Sequence, residues 1–148
     1  MKWEDYAAEF AWDGSWRDIH VLETSLIDWQ LMLDFLRSSR YEFHCNFGDC
    51  ESAAEIFSRE YECKGYLSVN IGQLTLNCHF FAPDEFEFDL DPRDVKGEAQ
   101  AKSIFDFMCQ LGRTLNKEVI LTPENTSGTL IFKFSPITQK VEYFPIKL

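Results

Sequence analysis

Between Asp84 and Asp91 the chain reads Asp-Glu-Phe-Glu-Phe-Asp-Leu-Asp, acidic and apolar residues in strict alternation. Side chains of an extended strand point to opposite faces with period two. Glu85, Glu87, Asp89 and Asp91 therefore share one face, and Phe86, Phe88 and Leu90 share the other. The run predicts a β-strand with an apolar back and a ladder of carboxylates in front. Its back must lie on a hydrophobic layer. Its front carries like charges that repel one another, so it needs solvent, cations or a basic partner.

Other segments alternate in the same way. Ile19 and Val21 alternate within 18–23, as do Tyr41, Phe43, Cys45 and Phe47. Leu67, Val69 and Ile71 lead to Gly72-Gln73, a two-residue turn, and Leu74, Leu76 and Cys78 return from it. That turn pairs Ile71 with Leu74, Val69 with Leu76 and Leu67 with Cys78 on one face, which sets the register. After Pro123 to Gly128, a loop, come Leu130, Phe132 and Phe134, expected inward within a strand from Thr129 to Phe134. A strand from Val141 to Phe144 closes the chain. Asp13-Gly14 between aromatic residues signals a tight hairpin near the N-terminus.

Three stretches have helical spacing. Leu26, Trp29, Met32, Leu33 and Leu36 form one stripe behind Ser25, with Asp28 in a capping-box position. Ser52 and Glu55 form a second capping box, opening a shorter helix expected to reach about Cys63. Ile104, Phe107, Met108, Leu111 and Leu115 form the stripe of a helix from Glu98 to Leu115. The expected fold is a single α+β domain over 1–148, in two layers: a mostly antiparallel sheet with about three helices on one face.

Of the 148 residues, 16% are aromatic, including 14 Phe, which suits a packed core rather than disorder. Lys and Arg number 14 against 25 Asp and Glu, a formal net charge of −11. Such a surface repels nucleic acid and anionic membranes and attracts basic proteins. No run reaches the ~18 apolar residues of a membrane span, and residues 1–6 lack the pattern of a secretory signal. The 5 cysteines fit no disulfide framework, so reduced thiols in a cytoplasmic setting are expected.

Catalytic, cofactor and metal signatures are missing from the pattern. Carboxylates along one strand lie about 7 Å apart in a line, whereas Ca²⁺ needs a cage of oxygens. His44-Cys45 and Cys78-His79 point to opposite faces of their strands, and Cys45 with Cys50 has no matching second pair for zinc. Cys50 precedes a helix N-terminus, which lowers a thiol pKa, but Asp49 and Glu51 flank it and oppose that.

The functional expectation is a non-enzymatic acidic protein that docks a basic protein partner. The partner-binding residues are Asp84, Glu85, Glu87, Asp89, Asp91 and Asp94. In general character, though in no motif, the chain resembles immunity proteins and nuclease inhibitors. Two other readings remain open. One is a small hydrolase whose loop-built site holds His44 or His79 beside Cys50, Glu124 or a ladder carboxylate. The other is a homodimer joined through the N-terminal aromatic hairpin, where Trp3, Tyr6, Trp12 and Trp16 cluster.

Overall fold

The structure is a computed structural model that describes residues 1–59 and 65–145. Eight strands form one antiparallel sheet: β1 (Arg17–Val21), β2 (Phe43–Cys45), β3 (Tyr66–Ile71), β4 (Leu74–His79), β5 (Phe86–Leu90), β6 (Val119–Pro123), β7 (Phe132–Ser135) and β8 (Lys140–Tyr143). Their spatial order is β2-β3-β4-β5-β1-β6-β7-β8. The chain thus starts in the middle of the sheet. It crosses to one edge through α2 (Leu26–Ser38), steps back strand by strand to β1, then crosses through α4 (Glu98–Leu115) to build the other half. Two short helices, α1 (Trp3–Tyr6) and α3 (Ala53–Phe57), complete the helical content of the described residues, apart from 3-10 turns.

The helical layer covers one sheet face. Trp29 of α2 lies against Phe86 with ring centroids 4.6 Å apart, and Phe107 of α4 meets Phe88 edge-on at 5.3 Å. Ile19, Val21, Leu67, Val69, Leu76, Phe86, Phe88, Leu121 and Phe132 are buried beneath these helices. Burial of this much apolar surface supplies the main favourable term in folding. The Trp29 indole N–H, deep in this layer, donates to Pro83 O at 2.8 Å, so its polar atom is satisfied.

Local readings of the sequence are realised where the signals are strongest. β3 and β4 pair Ile71 with Leu74, Val69 with Leu76 and Leu67 with Cys78, and Gly72 in the turn has φ 61°. The Ser25 N–H donates to Asp28 Oδ2 at 2.9 Å, and the Glu55 N–H donates to Ser52 Oγ at 3.1 Å. α4 runs from Glu98 to Leu115 and ends at Asn116, which is left-handed at φ 53°. Cys78 is buried, and Cys45 and Cys109 pack partly buried against the core, as small apolar side chains do.

Several readings are corrected. Leu26 is exposed, because it opens α2 before the helix meets the sheet. α3 ends at Phe57, where Ser58 caps it with its N–H bonded to Ala54 O; Cys63 lies outside the described residues. β7 begins only at Phe132, and Ile131 rather than Leu130 is buried, its N–H bonded to Leu121 O.

The N-terminal hairpin does not form. Residues 3–10 coil into α1 and a 3-10 turn, and the Asp13-Gly14 turn connects no strands. The cause is Arg17, 3% exposed at the start of β1. Its guanidinium donates to the carbonyls of Glu9, Ala11, Ser15 and Trp16, and to Asp13 Oδ1. Those carbonyls are gathered around one cation and are not offered to a second strand. Trp3, Tyr6 and Phe10 then stack into the core beside Phe132, so the hairpin edge suggested for a homodimer is not built.

Among the described residues no helix is long and apolar enough to cross a membrane.

Candidate functional site

The sheet face opposite the helices carries the polar members of each strand. β1 lies between β5 and β6, and its register sets Asp18 opposite Asp89 and His20 opposite Glu87 on one side, and Asp18 opposite Thr122 on the other. The carboxylate ladder thus meets two further titratable side chains from the central strand. β4 adds Asn77, paired with Asp89. The loop after β6 folds back over this area: Trp16 N–H donates to Glu124 Oε1 at 2.7 Å, and Asn125 N–H donates to Asp18 Oδ2 at 2.7 Å. Asn125 takes φ 57°, a left-handed conformation that Asn tolerates, and its N–H reaches Asp18 from there.

The result is a depression of about 420 Å³ lined by His20, Asn77, His79, Glu85, Glu87, Asp89 and Asn125, among others. Next to it a smaller hollow is lined by Trp16, Asp18, Glu87, Asp89, Glu124 and Asn125. Asp18 is 1% exposed and His20 9% exposed, whereas Glu87 and Asp89 are half-buried at the wall.

Charge is poorly compensated here. Asp89 Oδ1 accepts from Asn77 Nδ2 at 3.1 Å, and Asn77 in turn accepts from the Tyr66 hydroxyl. His20 stands between two carboxylates, with Nε2 3.8 Å from Asp18 Oδ2 and Nδ1 3.7 Å from Glu87 Oε2, both beyond hydrogen-bond reach. Among the described residues, no Lys or Arg forms an ion pair with Asp18, Glu87 or Asp89.

The titrations follow from this. Burial, then the charges of Asp18, Asp89, Glu85 and Glu124, push the Glu87 carboxyl up to about 7. Burial raises Asp18, with Asp89 and Glu124 adding to it against the Asn125 N–H bond. Burial also raises Asp89 and lowers His20. Carboxyls held above their ordinary range keep their protons to higher pH than free ones.

The six residues singled out in the sequence have different fates. Glu87 and Asp89 stand in the depression, and Asp84 and Glu85 are exposed along its rim. Asp91 is answered internally: Arg93 Nη2 approaches its Oδ2 at 2.9 Å and Arg93 Nε its Oδ1 at 3.0 Å, holding the carboxyl below its usual range. Asp94 sits exposed in the 3-10 turn past that pair and does not line the depression. Of the residues named for a hydrolase, His79 and Glu124 adjoin the depression, whereas exposed Cys50 and His44, on the edge strand β2, do not.

Asp18 and His20 are the members that sequence reasoning did not assign to a site; His20 reads from the sequence as a surface or capping residue, whereas the fold buries it. Their signal was present but small: an acidic residue and a histidine at i and i+2 facing away from Ile19 and Val21.

No protein-family model matches this chain, and no curated protein or solved structure matches it.

Proposed function

We propose that this chain is a binding protein whose open sheet face receives a cationic group of a basic protein partner. The observation that carries the reading is the convergence of Asp18, Glu87, Asp89 and Glu124 on adjoining hollows without a compensating Lys or Arg among the described residues. A folded protein tolerates like charges directly opposite each other in a sheet at a cost to stability. A guanidinium or ammonium entering from outside relieves that cost and forms charge-assisted hydrogen bonds with the carboxylates. Asp84 and Glu85 at the rim, together with the overall charge of −11, accelerate the encounter by long-range attraction. The phosphate-binding groove of a nuclease, lined by Arg and Lys, is the type of partner surface that an immunity or inhibitor protein of this character would cover.

The test is affinity capture on the immobilised, chelator-stripped chain at low ionic strength, repeated at high salt and with Glu87→Lys/Asp89→Lys. The reading expects basic proteins to be retained at low salt by the parent chain only and released by salt. The same proteins retained by the charge-reversed chain would refute it.

A further inference from the structure

We propose that Asp18, His20 and Glu87 form a binding site for one first-row divalent transition-metal ion of the zinc type. One donor atom can be taken from each residue so that all three lie within 4.8 Å of one another. The strand ladder alone cannot do this, since its carboxylates stand in a line. The third dimension comes from β1, which is hydrogen-bonded beside β5 and sets His20 across from Glu87.

A cluster of acidic side chains is common on protein surfaces without an ion. The imidazole distinguishes this one. His20 is 9% exposed, and its Nε2 is buried with no hydrogen-bond partner. Leaving a buried polar atom unmatched costs stability. A ligand that takes up the nitrogen's lone pair removes the cost, and a cation between carboxylates is such a ligand.

One pair of donors is near the spacing that an ion requires. Zinc bonds of about 2.0–2.2 Å place tetrahedral donors about 3.3–3.6 Å apart. His20 Nε2 lies 3.8 Å from Asp18 Oδ2, whereas Glu87 Oε2 lies 3.7 Å from the other ring nitrogen, Nδ1. An ion takes one nitrogen of a ring, so with Nε2 as donor the half-buried Glu87 would turn toward it to complete a set whose donors already lie within 4.8 Å of one another. The Asn125 N–H bond to Asp18 Oδ2 orients that carboxylate from outside, as partners of metal ligands do. Asp89, across from Asp18, or a water molecule would complete the coordination. The donor set selects the metal: one imidazole and two carboxylates suit zinc and its neighbours, whereas Ca²⁺ takes six to eight oxygens. The site goes beyond partner docking and does not rest on it, although a bound ion and an entering cationic side chain would compete for Asp18 and Glu87.

The test uses the purified full chain, stripped with chelator and titrated with Zn²⁺ in a calorimeter. The expected result is one Zn²⁺ per chain, with affinity reduced at least about tenfold, the lower end of what even ligand-orienting partners contribute, in both His20→Gln and Glu87→Gln. Asp106→Asn, on the exposed side of α4, should bind as the parent does. Circular dichroism checks that each variant folds; should His20→Gln fail, Glu87→Gln at its half-exposed position decides. The proposal is overturned by absence of stoichiometric binding, by undiminished binding in a folded His20→Gln or in Glu87→Gln, or by binding that disappears only when the thiols are alkylated. Because capture of basic proteins is read on the metal-free chain, failure of either experiment leaves the other interpretable.

Discussion

Asp18 and Asp89 face each other directly across β1 and β5, one buried and the other half-buried, with no cation of the described residues between them. Opposed like charges cost a sheet about 0.2–1 kcal/mol. Asp89→Asn keeps an oxygen to accept from Asn77 and removes the repulsion. It should stabilise the metal-free chain by a few tenths to about 1 kcal/mol, read as a higher urea midpoint. It should also weaken capture of basic proteins. Unchanged or lower stability would show that the repulsion is already relieved.

Glu87 predicts a pH dependence. Its folded pKa is raised from the ordinary 4.5 to about 7, so between those values the folded state holds more protons than the unfolded state. Stability contributed by the protonated group is therefore present below about pH 4.5 and lost as pH rises through 7. His20, lowered by burial, acts in the opposite sense below its ordinary 6.5. Comparison with Glu87→Gln isolates the glutamate: between pH 5 and 7.5 the parent should lose more melting temperature than the variant. Glu87 is 44% exposed at its side chain, so screening keeps the effect small. Equal losses would contradict the raised pKa.

Arg17 holds the N-terminal segment on the sheet through at least four carbonyls. Arg17→Ala leaves several of them without a donor and should cost at least about 2 kcal/mol. It should also release residues 1–16 to limited proteolysis before the rest of the chain is cleaved. Uniform protection of that segment in the variant would show that the aromatic packing of Trp3, Tyr6 and Phe10 suffices.

Gly112 lies in α4 where a Cβ would overlap the buried Phe134 ring. Alanine ordinarily gains about 1 kcal/mol over glycine inside a helix. Overpacking typically costs about 1–3 kcal/mol. Gly112→Ala should therefore show no net gain and a lower melting temperature, and a higher one would mean that the β7 ring moves aside freely.

How much of this was legible before the fold was known depends on the range of the interaction. The two residues of the Gly72-Gln73 turn set all three apolar pairs of β3 and β4, because a tight turn leaves one register that buries Leu67, Val69 and Ile71 together. The helix from Glu98 to Leu115 was likewise written in one stripe and its exit at Asn116. The N-terminus misled for the same reason in reverse: Asp13-Gly14 is a sound local signal, but the Arg17 guanidinium, bonded to carbonyls up to eight residues back, overrode it.

The candidate site divides along the same line. Alternation alone placed Phe86, Phe88 and Leu90 inward and Glu87 and Asp89 outward, since period two is a property of the extended backbone itself. That β1 enters between β5 and β6 is a matter of strand order, decided by how two helical crossovers bury their apolar stripes on one face. Only that order brings Asp18 and His20, some seventy residues away in sequence, beside the ladder and turns a line of carboxylates into an enclosed cluster.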